Sequence, residues 1–265
     1  MKWMRQRVLS GELMAGTFLN LGSSLTAEMT GQAGFDWVLI DLEHGAGDRQ
    51  ELLLQMQALE STPAVPIVRI AWNDPVRFKR VLDLGLSGVM VPYIQTPEEA
   101  ARAVAAMRFP PAGIRGVAAM NRACDFGPGF DEYFKRANTD LLTVIQIETK
   151  KSIECIDEIA AVDGVDVLYI GPLDLSVSLG VPQQLEHALV RDAFSKVVNA
   201  CRKAGKIAGL MLMREDQIGP AVEDGFTFLA LSSDGGLIAN GMRKMRAAFQ
   251  PYKAKSNPAQ AQRQE

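Results

Sequence analysis

Seven polar residues stand at the trailing edges of apolar runs, where a strand would deliver them to a common place. WVLIDLEHG carries Asp41, Glu43 and His44; PIVRI carries Arg69; LLTVIQIE closes on Gln146 and Glu148; DVLYIGPLD leads to Asp174. The residue types define the available chemistry. Paired carboxylates are oxygen ligands for a hard divalent cation, a histidine near a carboxylate is a general base, and a guanidinium holds a carboxylate or a developing oxyanion. Each also has a plain structural reading. Arg69 either pairs with Asp41 or Glu43 or faces an anionic substrate, and His44 is either a base or a capping residue. The only other histidine, His187 in QQLEHALV, reads as a helix-surface residue.

The elements that must position these residues alternate along the chain. Short β-branched apolar runs predict strands at 16–21, 37–43, 66–70, 88–92, 141–148, 166–171, 206–212 and 226–232. Helices begin after Ser23/Ser24, Asp48, Asp74-Pro75 and Thr96-Pro97, and Gly34, Gly85 and Gly205 suit left-handed helix ends. Eight βα units fit a single-domain (β/α)8 TIM barrel over residues 1–249 better than an open doubly wound sheet, and no Gly-x-Gly-x-x-Gly follows the first strand. Two segments lie outside the repeat. Residues 108–140 form a Gly/Pro-rich insertion, read as a flap, an oligomer contact or surface packing. Residues 250–265 are a polar tail expected to be disordered.

A barrel gathers the C-terminal ends of its strands into one mouth. Period-two alternation puts Leu142, Val144, Gln146 and Glu148 on one face of the fifth strand. The opposite face must be apolar, so Gln146 and Glu148 point into the mouth, where a buried carboxylate requires a cationic partner. Asp174, from the neighbouring strand, supplies a second ligand to a divalent cation: Mg2+ first, with Mn2+, Co2+ or Zn2+ also suited to the position. A Schiff-base mechanism is disfavoured, because Lys150 opens a helix and Lys206 lies at the wrong end of its strand. Asp83, late in a helix, reads as solvated. After the eighth strand, SSDGG alone is weak support for phosphate binding.

Composition limits the partners. With 28 basic and 31 acidic side chains, the net charge of −3 provides no field for nucleic acid or an anionic membrane. No apolar run reaches the roughly 20 residues of a membrane span, and three widely spaced cysteines encode no disulfide framework. A cytoplasmic protein acting on small molecules is expected.

GFDWVLIDLEHG, PIVRIAWNDP, PPAGIRG, VIQIET and YIGPLDLS, in this order, resemble the HpcH/HpaI family of metal-dependent pyruvate aldolases through about residue 248. The resemblance implies reversible cleavage of a 4-hydroxy-2-oxo acid to pyruvate and an aldehyde, and a homo-oligomer, usually a hexamer with an exchanged C-terminal helix. It assigns the cation to Glu148 and Asp174, the pyruvate keto oxygen to Arg69, and proton transfer to His44 with Asp41 as its orienting acid. It also brings Asp83 to a neighbouring subunit's proton network. Gln146, Gly171, Pro172 and Leu173 would line the pyruvate site, while Phe18, Leu212 and the 108–140 insertion would border the aldehyde. Leu173 and Phe18 stand where the family often has alanine and tryptophan, which opens the choice of aldehyde. A metal-dependent oxaloacetate decarboxylase or related carbon–carbon lyase, and a non-catalytic binding barrel, are the alternatives. An ammonium cannot reproduce the planar fork of Arg69, so Arg69→Lys is expected to lower aldol turnover by about 10²–10³-fold, the usual loss when one contact to a developing oxyanion is removed; near-normal steady-state rates would remove the assigned role.

Overall fold

The computed structural model describes residues 2–255. Eight parallel strands close on one another in sequence order: β1 (Met14–Leu19), β2 (Trp37–Asp41), β3 (Val65–Arg69), β4 (Gly88–Val91), β5 (Leu142–Ile147), β6 (Val167–Ile170), β7 (Ile207–Leu212) and β8 (Phe228–Ser233), with β8 paired back to β1. The expected (β/α)8 barrel is therefore the fold. The first strand sits two residues earlier than the predicted 16–21, because Asn20 leaves the ladder and donates its backbone amide to Asp234 Oδ1 at the corner after β8.

A short helix, α1 (Arg5–Leu9), precedes β1. The others follow as α2 (Ser24–Gln32), α3 (Arg49–Leu59), α4 (Pro75–Leu82), α5 (Pro97–Met107), α6 (Phe130–Asp140), α7 (Lys150–Glu154), α8 (Ile156–Ala160), α9 (Pro172–Ser178), α10 (Ala188–Ala204), α11 (Ile218–Asp224) and α12 (Asp234–Lys255). The predicted starts are real caps. Ser23, Asp48, Asp74 and Thr96 each accept a backbone N–H of the first turn, and Asp48 completes a capping box with Glu51. Gly34, Gly85 and Gly205 all hold positive φ. His187 differs from its reading as a helix-surface residue: it precedes α10, and its Nδ1 accepts the Leu189 amide as an N-cap.

Alternation along the strands builds two apolar layers. One lies between barrel and helices and holds residues such as Val38, Val68, Ile145 and Leu168. The other fills the lumen with Met14, Trp37, Ile67, Val144 and Phe228, and Met4 and Val8 of the N-terminal segment pack into it. The lumen is solid at mid-height. Trp37 stacks on Phe228 with centroids 4.1 Å apart, and its ring lies over Gly16, where a Cβ would come within 2.1 Å of it. With that floor closed, lumen-facing polar groups must collect at the C-terminal end.

The 108–140 insertion is not a structureless loop. It contains a 3-10 turn at Arg122–Cys124 and the eleven-residue α6. Its contacts also place it at the N-terminal end of the barrel: Ala123 donates to Asp83 O, Arg122 to Leu84 O, and Arg108 to Leu141 O. The insertion therefore does not border its own chain's mouth. Asp125 and Phe126 end its 3-10 turn in left-handed backbone, beyond the reach of a hydropathy pattern.

The predicted tail does not begin at Gln250. The helix-favouring run MRKMRAAFQPYKAK carries α12 on to Lys255, across Pro251; residues 256–265 lie outside the described residues. Met242, Met245, Phe249 and Tyr252 are exposed along this helix. Among the described residues no helix is long and apolar enough to cross a membrane.

Candidate active site

Asp41 is the last residue of β2 and Arg69 the last of β3, and the sheet register sets them side by side. Both are buried. Arg69 donates Nε to Asp41 Oδ1 at 2.9 Å and Nη2 to Oδ2 at 2.7 Å, a two-pronged, charge-assisted contact. Oδ1 also accepts the backbone amides of Glu43 (3.0 Å) and His44 (3.3 Å). Asp41 thus shapes the turn that carries His44 but does not touch the imidazole, because Arg69 and two amides occupy its carboxylate. Any orienting of His44 by Asp41 therefore runs through the backbone.

The outer nitrogen of Arg69, Nη1, faces the site. It lies 3.0 Å from Glu43 Oε2 and 3.4 Å from Gln146 Oε1, and the guanidinium sits 5.2 Å from the centroid of the Phe18 ring. Burial disfavours its charge, but the hydrogen bond to Asp41 and the charges of Asp41, Glu43 and Glu148 outweigh burial and raise its pKa. Gln146 passes the contact on, donating Nε2 to Glu148 Oε2 at 2.5 Å.

Glu148 lies one residue beyond β5, buried, as the period-two argument required. Its Oε1 accepts the Tyr93 backbone amide at 2.6 Å. Burial pushes its carboxyl up to about 7; the Tyr93 amide opposes this, the charges of Glu43 and Asp174 add to it, and Arg69 again opposes it. Glu43 is half-buried and also raised, by burial first and by Asp41 and Asp174 against the pull of Arg69 and His44. Arg69, shared with Asp41, offsets only part of the charge of Glu43 and Glu148, both of which stay raised.

Asp174 is not on a strand. It occupies the first turn of α9 after Gly171 and Pro172, and is exposed. Gly171 lies against the carboxylate: a Cβ there would fall 2.7 Å from Glu148 Oε2 and 2.8 Å from Gln146 Nε2. Bare backbone is therefore needed beside buried Glu148, which has no ion pair of its own among the described residues. These features fit a divalent ion held by Glu148 and Asp174, with other positions left to water or substrate oxygens. No cluster of three or more His, Cys, Asp or Glu able to hold an ion exists among the described residues.

The other expected residues divide. Phe18 is in the mouth, buried under Arg69. Leu173 is exposed beside Asp174. His44 is 69% exposed, with Nε2 3.8 Å from Glu43 Oε2. Leu212 packs in the outer apolar layer, and the neighbour packed on the lumen side is Met211; a one-residue parity difference separates them. Asp83 caps the C-terminal end of α4, at the other end of the barrel, where Oδ1 accepts from buried Arg115 at 2.9 Å. Within one chain it does not join the site. Sequence reasoning had treated Glu43 only as a possible partner of Arg69, although it shares Asp41's parity, and had missed Tyr93, which acts through its backbone. A cavity of about 490 Å³ at the N-terminal end, near Lys2, Trp3 and Tyr133, does not compete as the reactive centre, because Arg122 and Arg136 there pair with Glu60 and Asp140.

Residues 14–241 match the HpcH/HpaI aldolase/citrate lyase family. The chain belongs to this family. Among its relatives, the 4-hydroxy-2-oxo-heptane-1,7-dioate aldolase of Salmonella dublin is 39% identical over 241 residues, 91% of each chain. An HpcH/HpaI aldolase/citrate lyase family protein from Burkholderia cenocepacia superposes with a TM-score of 0.88 at 34% identity, covering 94% of this chain and 98% of that one. An HpcH/HpaI aldolase from Desulfitobacterium hafniense gives 0.89 at 30% identity, covering 94% and 97%. This HpcH/HpaI chain thus shares both the barrel and its length with aldolases.

Two outcomes follow from the geometry. Gly171→Ala keeps an allowed backbone, since φ is −90°, yet forces Glu148 or Gln146 aside; Mn2+ affinity by calorimetry is expected to fall about 10–100-fold, the usual effect of disturbing a ligand's supports. Glu148 binds its proton more tightly folded than unfolded, so stability is greatest below the ordinary carboxylate range and declines as pH rises through about 7. In chelator, urea unfolding should show a loss on the order of 3 kcal/mol from this group between pH 4.5 and 8, with Mg2+ restoring stability at pH 8. If Glu148→Gln has the same pH dependence as the wild type, this attribution is wrong.

Proposed function

We propose that the protein catalyses divalent-cation-dependent, reversible cleavage of a 4-hydroxy-2-oxo acid to pyruvate and an aldehyde. The observation that carries this reading is a buried Glu148 linked through Gln146 to Arg69 at a barrel mouth. The names of the aldolase relatives support the same reaction class. Mg2+ is the first choice of ion, held by Glu148 and Asp174; when bound, it would polarise the keto acid and offset negative charge.

The chain's own groups do the rest. Arg69 presents Nη1 to the keto oxygen, where charge accumulates as the carbon–carbon bond breaks, while Asp41 fixes the opposite edge of the fork. The guanidinium therefore needs no reorientation in the transition state. Gly171 caps α9, and in its first turn, after Pro172, the amides of Leu173 and Asp174 have no intrahelical acceptor and suit the substrate carboxylate. Phe18 closes the floor and excludes water. His44, exposed at the rim, removes the 4-hydroxyl proton as the aldehyde departs; the electron pair of the breaking bond becomes the enolate, which a proton then converts to pyruvate. The outward-facing aldehyde half meets Leu173. On this reading the partners are small molecules in the cytoplasm and other copies of the chain, and a hexamer would cover the exposed face of α12.

The test is NMR of pyruvate in D2O. Methyl-proton exchange should require Mg2+ or Mn2+, stop in EDTA, and fall about 10²–10³-fold in Arg69→Lys. Folded protein that exchanges equally fast in EDTA, or that borohydride traps on pyruvate, would overturn the cation-enolate reading in favour of Schiff-base chemistry.

A further inference from the structure

Tyr93 combines three features that the reaction does not itself explain. It lies two residues past β4, between buried Pro92 and Ile94, with φ at +57° in the left-handed region that side chains with a Cβ disfavour. That conformation points its amide at Glu148 Oε1, 2.6 Å away. Its ring stacks on Trp72, with centroids 5.8 Å apart and planes 28° from parallel. Trp72 lies three residues past β3, in the loop that follows Arg69, and both rings remain about half exposed.

Left-handed backbone at a non-glycine residue persists only where its surroundings hold it. The flanking residues are buried, and the half-exposed Tyr93 ring stacks on Trp72. We propose that Trp72 is a positioning residue: by stacking on Tyr93 it holds the left-handed turn that delivers the Tyr93 amide to Glu148, and so fixes the carboxylate that receives the divalent cation. The chain of contacts runs from the β3 loop to the β4 loop and on to the end of β5. It ties the buried Glu148 carboxylate to the strand that carries Arg69. The cation step rests on the reading given under Proposed function; the bracing of the amide does not.

The roles of ring and backbone separate by substitution at one position. Tyr93→Ala loses the ring and keeps the conformational penalty, whereas Tyr93→Gly loses the ring and the penalty together. Two measurements on the full chain are read for wild type, Trp72→Ala, Tyr93→Phe, Tyr93→Ala and Tyr93→Gly: hydrogen exchange of the segment 91–95 by mass spectrometry, and Mn2+ affinity by calorimetry. Trp72→Ala and Tyr93→Ala should lose protection in that segment and bind Mn2+ about tenfold more weakly, in the range for a lost ligand support. Tyr93→Phe should match wild type, and Tyr93→Gly should stay within about threefold of it, by analogy with the small penalty of glycine at left-handed positions. Mere packing predicts that glycine is at least as damaging as alanine; that result, or unchanged protection in Trp72→Ala, overturns the proposal. If the wild type binds no Mn2+, the cation reading fails, while the exchange data still decide whether Trp72 braces the amide.

Discussion

The contact on which the mouth depends is the buried pair between Asp41 and Arg69. It joins the last residues of adjacent strands, and a two-pronged carboxylate–guanidinium contact fixes both planes. Removing one partner of such a buried pair typically costs about 3–5 kcal/mol, because the other is left charged and unpaired. Here the pair also serves geometry. Asp41 uses its remaining capacity on the amides of Glu43 and His44, while Arg69 keeps one edge turned toward Glu43 and Gln146. A lysine could neutralise Asp41, but it has no second edge to present.

Around this fixed pair the charges are deliberately unequal in effect. Glu148 and Glu43 are both raised by burial first; Asp174 adds to both, and Glu43 adds to Glu148. Such a mouth favours a proton or a cation, and a divalent ion would replace several repulsions with attractions. The filled floor of Trp37, Phe228 and Phe18 supports this by keeping the polar groups at one end and limiting water from below. Stability and function therefore pull against each other at Glu148: the buried position that destabilises its charged form is the position that suits it as a ligand.

Much of the barrel was legible in the chain. Caps at Asp48 and Thr96, and the alternation of Leu142, Val144, Gln146 and Glu148, are local patterns with local causes, so they survived folding unchanged. The misplaced features depended on contacts between distant residues. Leu212 was assigned to the mouth but takes the outer face, since barrel closure sets which parity of β7 faces inward. The insertion was set beside the aldehyde, yet its bonds to Asp83, Leu84 and Leu141 hold it at the far end. Asp83, expected at a neighbouring subunit's site and not at its own, is held at the same end by Arg115. None of these pairings leaves a periodic trace.

By itself the sequence determined the eight βα units, the parity that turns Gln146 and Glu148 inward, and the collection of Asp41, Arg69 and Glu148 at strand ends, because strand alternation and capping act over a few residues. Tertiary structure decided how those groups divide their bonds. It gave Asp41 to Arg69 rather than to the His44 imidazole, brought Glu43 into the cluster, and set the Tyr93 amide on Glu148. The physical reason is that a carboxylate has few acceptor positions and a guanidinium few edges. Which neighbour takes each one depends on distances of about an ångström between strands far apart in the chain, and residue type alone does not specify them.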